Sequence, residues 1–132
     1  MLLSSIKSLV VLCSVLQVQA DDAEENAATR LRQLYCTIIR DEKLAGKPII
    51  EVSIGGFDVG HTKITDAGLV SLLPLKNLAA LHAINSKLTD NGLKDLAPLK
   101  SLTFLDLGSS RVTNAGLKEL QKSLPNCYIV EP

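Results

Sequence analysis

The sequence predicts an α/β fold of a particular kind: a short right-handed solenoid with a parallel β-sheet on its concave face, short helices on its convex face and an N-terminal capping helix. Three observations predict it. The hexamer Ile64-Thr65-Asp66-Ala67-Gly68-Leu69 recurs at a shift of 24 as Leu88-Thr89-Asp90-Asn91-Gly92-Leu93 and again as Val112-Thr113-Asn114-Ala115-Gly116-Leu117, which marks a stack of like units. After each hexamer the apolar residues fall at helical spacing, and before the next one they alternate as in a strand. Ahead of the repeats lies a stretch with apolar residues at i, i+3, i+4, i+7 and i+8. A single unit of this size cannot bury its own leucines. Stacked units share one core, to which each fully buried Leu contributes on the order of 1.5–3 kcal/mol.

In chain order, residues 1–20 read as a signal peptide. Lys7 closes a short polar start, an apolar run follows from Ser8 to Leu16, and Val18-Gln19-Ala20 sets small residues where signal peptidase needs them, with cleavage between Ala20 and Asp21. The apolar run is shorter than the roughly 20 residues a bilayer requires, so the mature chain is expected to carry no membrane span. Bulky Leu12 before Cys13 argues against a lipid anchor. The chain is therefore expected in the secreted, periplasmic or cell-envelope space.

Residues 21–48 are expected to form the capping helix and a linker. Asp21 to Asn26 is acidic and expected to fray, and the helix itself is expected over 27–45, with Leu31, Leu34, Tyr35, Ile38 and Ile39 on its buried face. Gly46-Lys47-Pro48 supplies the stop, because Gly suits a helix C-terminus and Pro cannot continue one.

Residues 49–132 hold the repeats, at about 49–77, 78–101 and 102–126, with a terminal strand at 127–132 cut short by Pro132. The helix positions are Leu72 and Leu75, Leu96 and Leu99, and Leu120 and Leu124, the last carrying one inserted residue. The strand positions are Leu78, Leu81 and Ala83, then Leu102, Leu105 and Leu107, then Cys127 and Val130. In the first repeat two registers compete, and the better strand is Ile49 to Ile54, with Gly55-Gly56 as its break and 57–61 as an insertion. Thr65, Thr89 and Thr113, or the Asp or Asn after each, are expected to cap the helices through a side-chain oxygen.

Composition narrows the function. With 46% hydrophobic and 21% charged residues the chain can fold, and with 3% aromatics and no Trp its core must be aliphatic. Fourteen basic residues balance fourteen acidic ones without a block of either sign, so no footprint for nucleic acid is present.

The hexamers, with the leucines around them, resemble the leucine-rich-repeat family, specifically its bacterial exported kind with a T-D-A-G-L-containing repeat of 24 residues. The resemblance covers 49–132 and implies the solenoid fold. It implies little about activity, since the fold is a scaffold. One departure is that Thr62, Ser86 and Ser110 stand where the family often places a laddering Asn, and their hydroxyls are expected to bond the neighbouring backbone.

Cleavage leaves Cys36 and Cys127. In an oxidising compartment an even pair invites a disulfide, but Cys36 belongs to one end of the stack and Cys127 to the other. The first and fourth strands stand roughly 14 Å apart, whereas bridged Cα atoms lie within about 7 Å, so no intrachain bridge is expected. Cys127 takes a core position, and Cys36, off the helix's apolar stripe, is expected to be partly covered.

Candidate functional residues are those between the strand leucines. One expected row is Ser53, His82, Asp106 and Glu131, and its neighbour is Glu51, Ala80, Phe104 and Ile129. With Ile84 these make a contact patch of Glu51, Ser53, His82, Ile84, Phe104, Asp106, Ile129 and Glu131, suited to a protein or cell-envelope partner. A Ser53, His82, Asp106 triad is a hydrolase alternative, but a flat strand face implies no oxyanion hole. The plainer expectation is a cross-strand pair of His82 with Asp106. His61 and His82 match no metal-binding spacing and no phosphate loop is present, so neither enzyme, metal nor cofactor is expected. A ligand-free structural solenoid is the other alternative.

Overall fold

The computed structural model describes residues 21–54 and 64–132. The signal-peptide assignment, the break and insertion after Ile54, His61 and Thr62 lie outside the described residues.

Helix α1 covers 21–33 and is followed by strand β1 (Cys36–Arg40) and strand β2 (Ile49–Ile54). A 3-10 helix spans Asp66–Leu72, then come β3 (Ala80–His82), α2 (Asp90–Leu96), β4 (Phe104–Asp106), α3 (Asn114–Ser123) and β5 (Tyr128–Val130). The five strands form one sheet in the order β1-β2-β3-β4-β5. β2 to β5 run parallel, each joined to the next through a helix, and β1 lies antiparallel on β2. This is an α/β repeat fold.

The expected helix over 27–45 is corrected. The described helix covers 21–33 and ends there, because Tyr35 takes a left-handed backbone, with φ at 62°, and the next residues turn back as a strand. Thr37-Ile38-Ile39 is a β-branched run that fits a pleated surface better than a helix. Only Ala27, Ala28 and Leu31 of α1 are buried in the core, while Cys36 and Ile38 reach it from β1. Nor is the acidic segment loose. Glu24 Oε1 accepts the Ile49 N–H at 2.8 Å and pairs with Arg40 at 3.5 Å, and Glu25 pairs with Arg40 at 2.5 Å. Arg40 also donates to the Lys47 carbonyl, so one guanidinium holds α1, β1 and the 41–48 turn together.

The preferred register of the first repeat is the one found: Glu51, Val52 and Ser53 of β2 stand opposite Ala80, Leu81 and His82. Val52, Leu81 and Leu105 point inward with no exposed surface, as do Leu72, Leu75 and Leu96, and Leu99, Leu120 and Leu124 are nearly as deep. The core is aliphatic throughout.

Between repeats runs a polar clasp. Asp66 accepts from the Thr89 backbone N–H at 2.8 Å and from the Thr89 hydroxyl at 2.5 Å, and Asp90 accepts from Thr113 in the same way, at 2.7 and 2.6 Å. The hydroxyl that donates backwards to the Asp is left facing forwards, where its oxygen accepts the Asn91 N–H in one repeat and the Gly116 N–H in the next. Thr89 and Thr113 thus cap α2 and α3 as expected. Thr65 makes no side-chain cap, and among the described residues no Asp of an earlier repeat orients it. The Asp residues themselves, expected as alternative caps, bind across repeats instead.

The bonds from the Thr113 side chain and backbone lower the Asp90 carboxyl below its ordinary 3.8. A carboxyl depressed in the folded state stabilises it above that ordinary value and ceases to do so as pH falls through the folded one. Urea unfolding of Asp90→Asn against the parent should therefore show a gap at pH 6 that narrows steadily below about pH 4. A gap that stays constant to pH 2 would contradict the clasp.

The hydroxyls of Ser86 and Ser110 are buried without a hydrogen-bond partner, contrary to the expectation that they bond neighbouring backbone. A hydroxyl is too short to span the strand-to-helix turn that an Asn amide would reach across. An unpaired buried hydroxyl costs about 1–3 kcal/mol, so Ser86→Ala should leave the fold intact and raise stability by roughly 1 kcal/mol, measured by urea denaturation. A loss of that size would show that the hydroxyl is bonded in solution.

Candidate functional site

The solvent face of the sheet is defined by two rows. One runs Ile39, Glu51, Ala80, Phe104, Tyr128 and the other Thr37, Ser53, His82, Asp106, Val130. Glu51, Ser53, His82, Phe104 and Asp106 are brought together as expected, and Ile84, 41% exposed, continues the outward positions of β3 just past His82.

Ile129 and Glu131 are not on these rows. Tyr128 stands opposite Phe104 and Val130 opposite Asp106, while Ile129 stands opposite Leu105 and packs half-buried against the core. The inserted residue in α3 is the cause and is undone at once: Leu102 and Leu105 are three apart, Cys127 and Ile129 only two. The Cys127 N–H bonds the Leu124 carbonyl just as Leu102 bonds Leu99. After this lost residue the strand is back on the 24-residue register, and Val130, expected inward, turns to solvent. Glu131 and Ile129 instead line a hollow of about 330 Å³ with Asn114, Leu117, Lys118 and Gln121, beside the last helix.

Side chains of the two rows contact one another in a chain across the face. His82 Nε2 lies 3.5 Å from Glu51 Oε1. The His82 and Phe104 rings are 5.1 Å apart and tilted by 44°, and the Phe104 and Tyr128 rings are 6.1 Å apart, stacked within 24°. The expected His82–Asp106 pair is therefore corrected. Asp106 Oδ1 accepts the Gly108 N–H at 3.0 Å and closes its own turn, leaving Glu51 as the imidazole's neighbour. The triad geometry fails on the same facts: Asp106 turns Oδ1 to its own turn, and His82 leans out of its row towards Glu51 and Phe104 of the other.

Sequence reasoning missed Tyr128, Ile39 and Thr37. Tyr128 was displaced by the register change. Ile39 and Thr37 were assigned to a helix, although the β-branched run 37–39 carried the signal for a strand. Tyr128 at 68% and Ile39 at 45% are among the most exposed large apolar residues described, and no described element covers them.

Both thiols are free and buried, on opposite flanks of the sheet. Cys36 is not partly covered on a helix but inward on β1, 7% exposed, and burial pushes its thiol up to about 11. Burial also raises Cys127. At pH 8 both should resist a maleimide: under conditions that saturate the urea-unfolded chain, labelling of the native protein should stay below about a tenth, since the thiolate is the reactive form. Full native labelling would contradict the burial of both residues.

Among the described residues no group of three or more His, Cys, Asp or Glu side chains is placed to hold a metal ion, and no helix is long and apolar enough to cross a membrane.

Fold and face together define an α/β repeat protein with an open sheet surface. The leucine-rich-repeat family model matches the chain at residues 57–73 and 99–120, which supports a leucine-rich-repeat family. No curated protein and no solved structure matches the chain.

Proposed function

We propose that this chain is an exported protein-interaction module: a short solenoid whose concave face is the sheet surface of β1 to β5, engaging a protein or a cell-envelope component. Leucine-rich repeats in general mediate protein–protein interaction. The observation that carries the reading is the row Ile39, Glu51, Ala80, Phe104, Tyr128, with Ile84 beside it, a face that is apolar and aromatic but for Glu51 and is bordered by His82 and Asp106 of the next row. Aromatic anchors with a polar rim are what protein interfaces are built from. No part of this reading invokes catalysis.

The test is photo-crosslinking from single positions in the full chain expressed in its own cells. A crosslinker at Phe104 or Tyr128 should capture one discrete partner, and one at Lys94, on α2, should not. Equal capture from both faces, or none from the sheet face, overturns the proposal and leaves a structural solenoid. Export is tested on the same material by the mass of the mature chain, which should begin at Asp21.

A further inference from the structure

The sheet face also states the chemistry of its partner. Resting on the binding reading above, we infer that the occupant is an extended, positively charged peptide segment bearing two cationic side chains four residues apart, with an apolar side chain midway. The argument begins with charge. The chain as a whole is balanced at fourteen basic and fourteen acidic residues, yet the two outward rows hold the carboxylates Glu51 and Asp106 and no Lys or Arg. His82 is the one group on them that can become positive, and Glu51 already lies against it. The basic residues Lys94, Lys118 and Lys122 sit on α2 and α3 instead.

Ring geometry adds the second constraint. Phe104 has the His82 ring of the neighbouring row against it on one side and the Tyr128 ring of its own row on the other, so its faces are largely taken. Tyr128 belongs to the edge strand β5, and with one ring face turned to Phe104 and 68% of the residue exposed it offers its other face to a ligand. A guanidinium stacks on such a face. Asp106 uses Oδ1 for the Gly108 N–H, which leaves Oδ2 for an incoming donor.

Spacing gives the third. Glu51 lies on β2 and Asp106 on β4, two strands away and one outward position along. With strands about 4.8 Å apart and outward positions about 6.7 Å apart, the diagonal is on the order of 12 Å. In an extended peptide residues i and i+4 are separated by about 13 Å, and i+2 between them points to the same side. That middle side chain would lie over β3 between Ala80 and His82.

The probe is a ten-residue peptide of Ser and Thr carrying Arg at two positions four apart and Leu between them, titrated into the full mature chain by fluorescence anisotropy. Two comparison peptides carry Glu in place of Arg, or the two Arg side by side. The spaced Arg peptide should bind, and more weakly at 150 mM than at 20 mM salt. The Glu peptide should not bind, and adjacent Arg residues should bind several-fold less well. Glu51→Gln with Asp106→Asn should weaken the Arg peptide about tenfold or more, and Tyr128→Ala should weaken it too. Asp95→Asn with Glu119→Gln, on the helices, should change nothing, and circular dichroism would show each variant folded. Equal binding of the Glu peptide, or indifference to the Glu51 and Asp106 changes, overturns the inference. If crosslinking from Phe104 still captures a partner in that case, the binding face stands and only the chemistry assigned to its occupant falls.

Discussion

Alanine at Gly92 should cost about 2 kcal/mol, while alanine at Gly68, the same hexamer position one repeat earlier, should cost nothing or stabilise by roughly 0.5 kcal/mol. The difference lies in the clasp. A Cβ on Gly92 would fall on Asp66 Oδ1 and come within 2.9 Å of Leu69 Cδ1. The carboxylate could swing away only by releasing both its bonds to Thr89. A Cβ on Gly68 meets nothing closer than Ile64 Cγ2 at 3.4 Å, an ordinary contact. There the gain from stiffening the unfolded chain is unopposed. Urea denaturation of the two variants checks the contrast, and Asp66→Ala supplies the control. With the carboxylate gone, adding Gly92→Ala should cost much less than in the parent, since only the flexible end of Leu69 then has to give. Equal losses at Gly68 and Gly92 would sink the explanation.

Leu105→Ala should have the largest effect of any single change in the sheet, a loss of about 3–4 kcal/mol. Leu105 is fully buried in the middle of the repeats, between Leu81 on one side and Ile129 on the other, so neighbours on both sides hold the cavity open. Ile129→Ala removes a similar volume from a half-buried place on the edge strand, where fewer neighbours are lost, and should cost less than half as much. Chemical denaturation with near-equal m-values would compare them. If the two losses were alike, β5 would be as firmly packed as the centre.

What the sequence made legible, and what it hid, follows from the kind of signal each element carries. The parallel strands and helices were readable because Leu81, Leu105, Leu96 and Leu120 repeat with the stack, and even the disputed first strand was decided by the alternation of Val52 and Ile54. The N-terminal flank misled because Leu31, Leu34, Ile38 and Ile39 satisfy a helical period across a break that no Gly or Pro announces. The break is made by a Tyr in a conformation that Gly usually supplies, and only the β-branched run after it spoke for a strand. At the other end, the extra residue in α3 was visible but the compensating loss before Ile129 was not. That loss moved the site's fourth column by one, replacing Ile129 with Tyr128. The clasp was half legible: Thr-Asp-x-Gly was seen as a unit, but the Asp and the Gly that serve each other sit in successive copies.

The antiparallel placement of β1 sets it apart from the array. On its side of β2 the pairing runs against that of the repeats. β3 and β4, by contrast, present to their successors the same parallel register, and the clasp between Asp66 and Thr89 is repeated by Asp90 and Thr113. A duplicated 24-residue segment spliced in after Lys100 would meet familiar neighbours on both sides. It would lengthen the sheet by one strand without redesigning either boundary, so duplication of the repeat has an open route within the array.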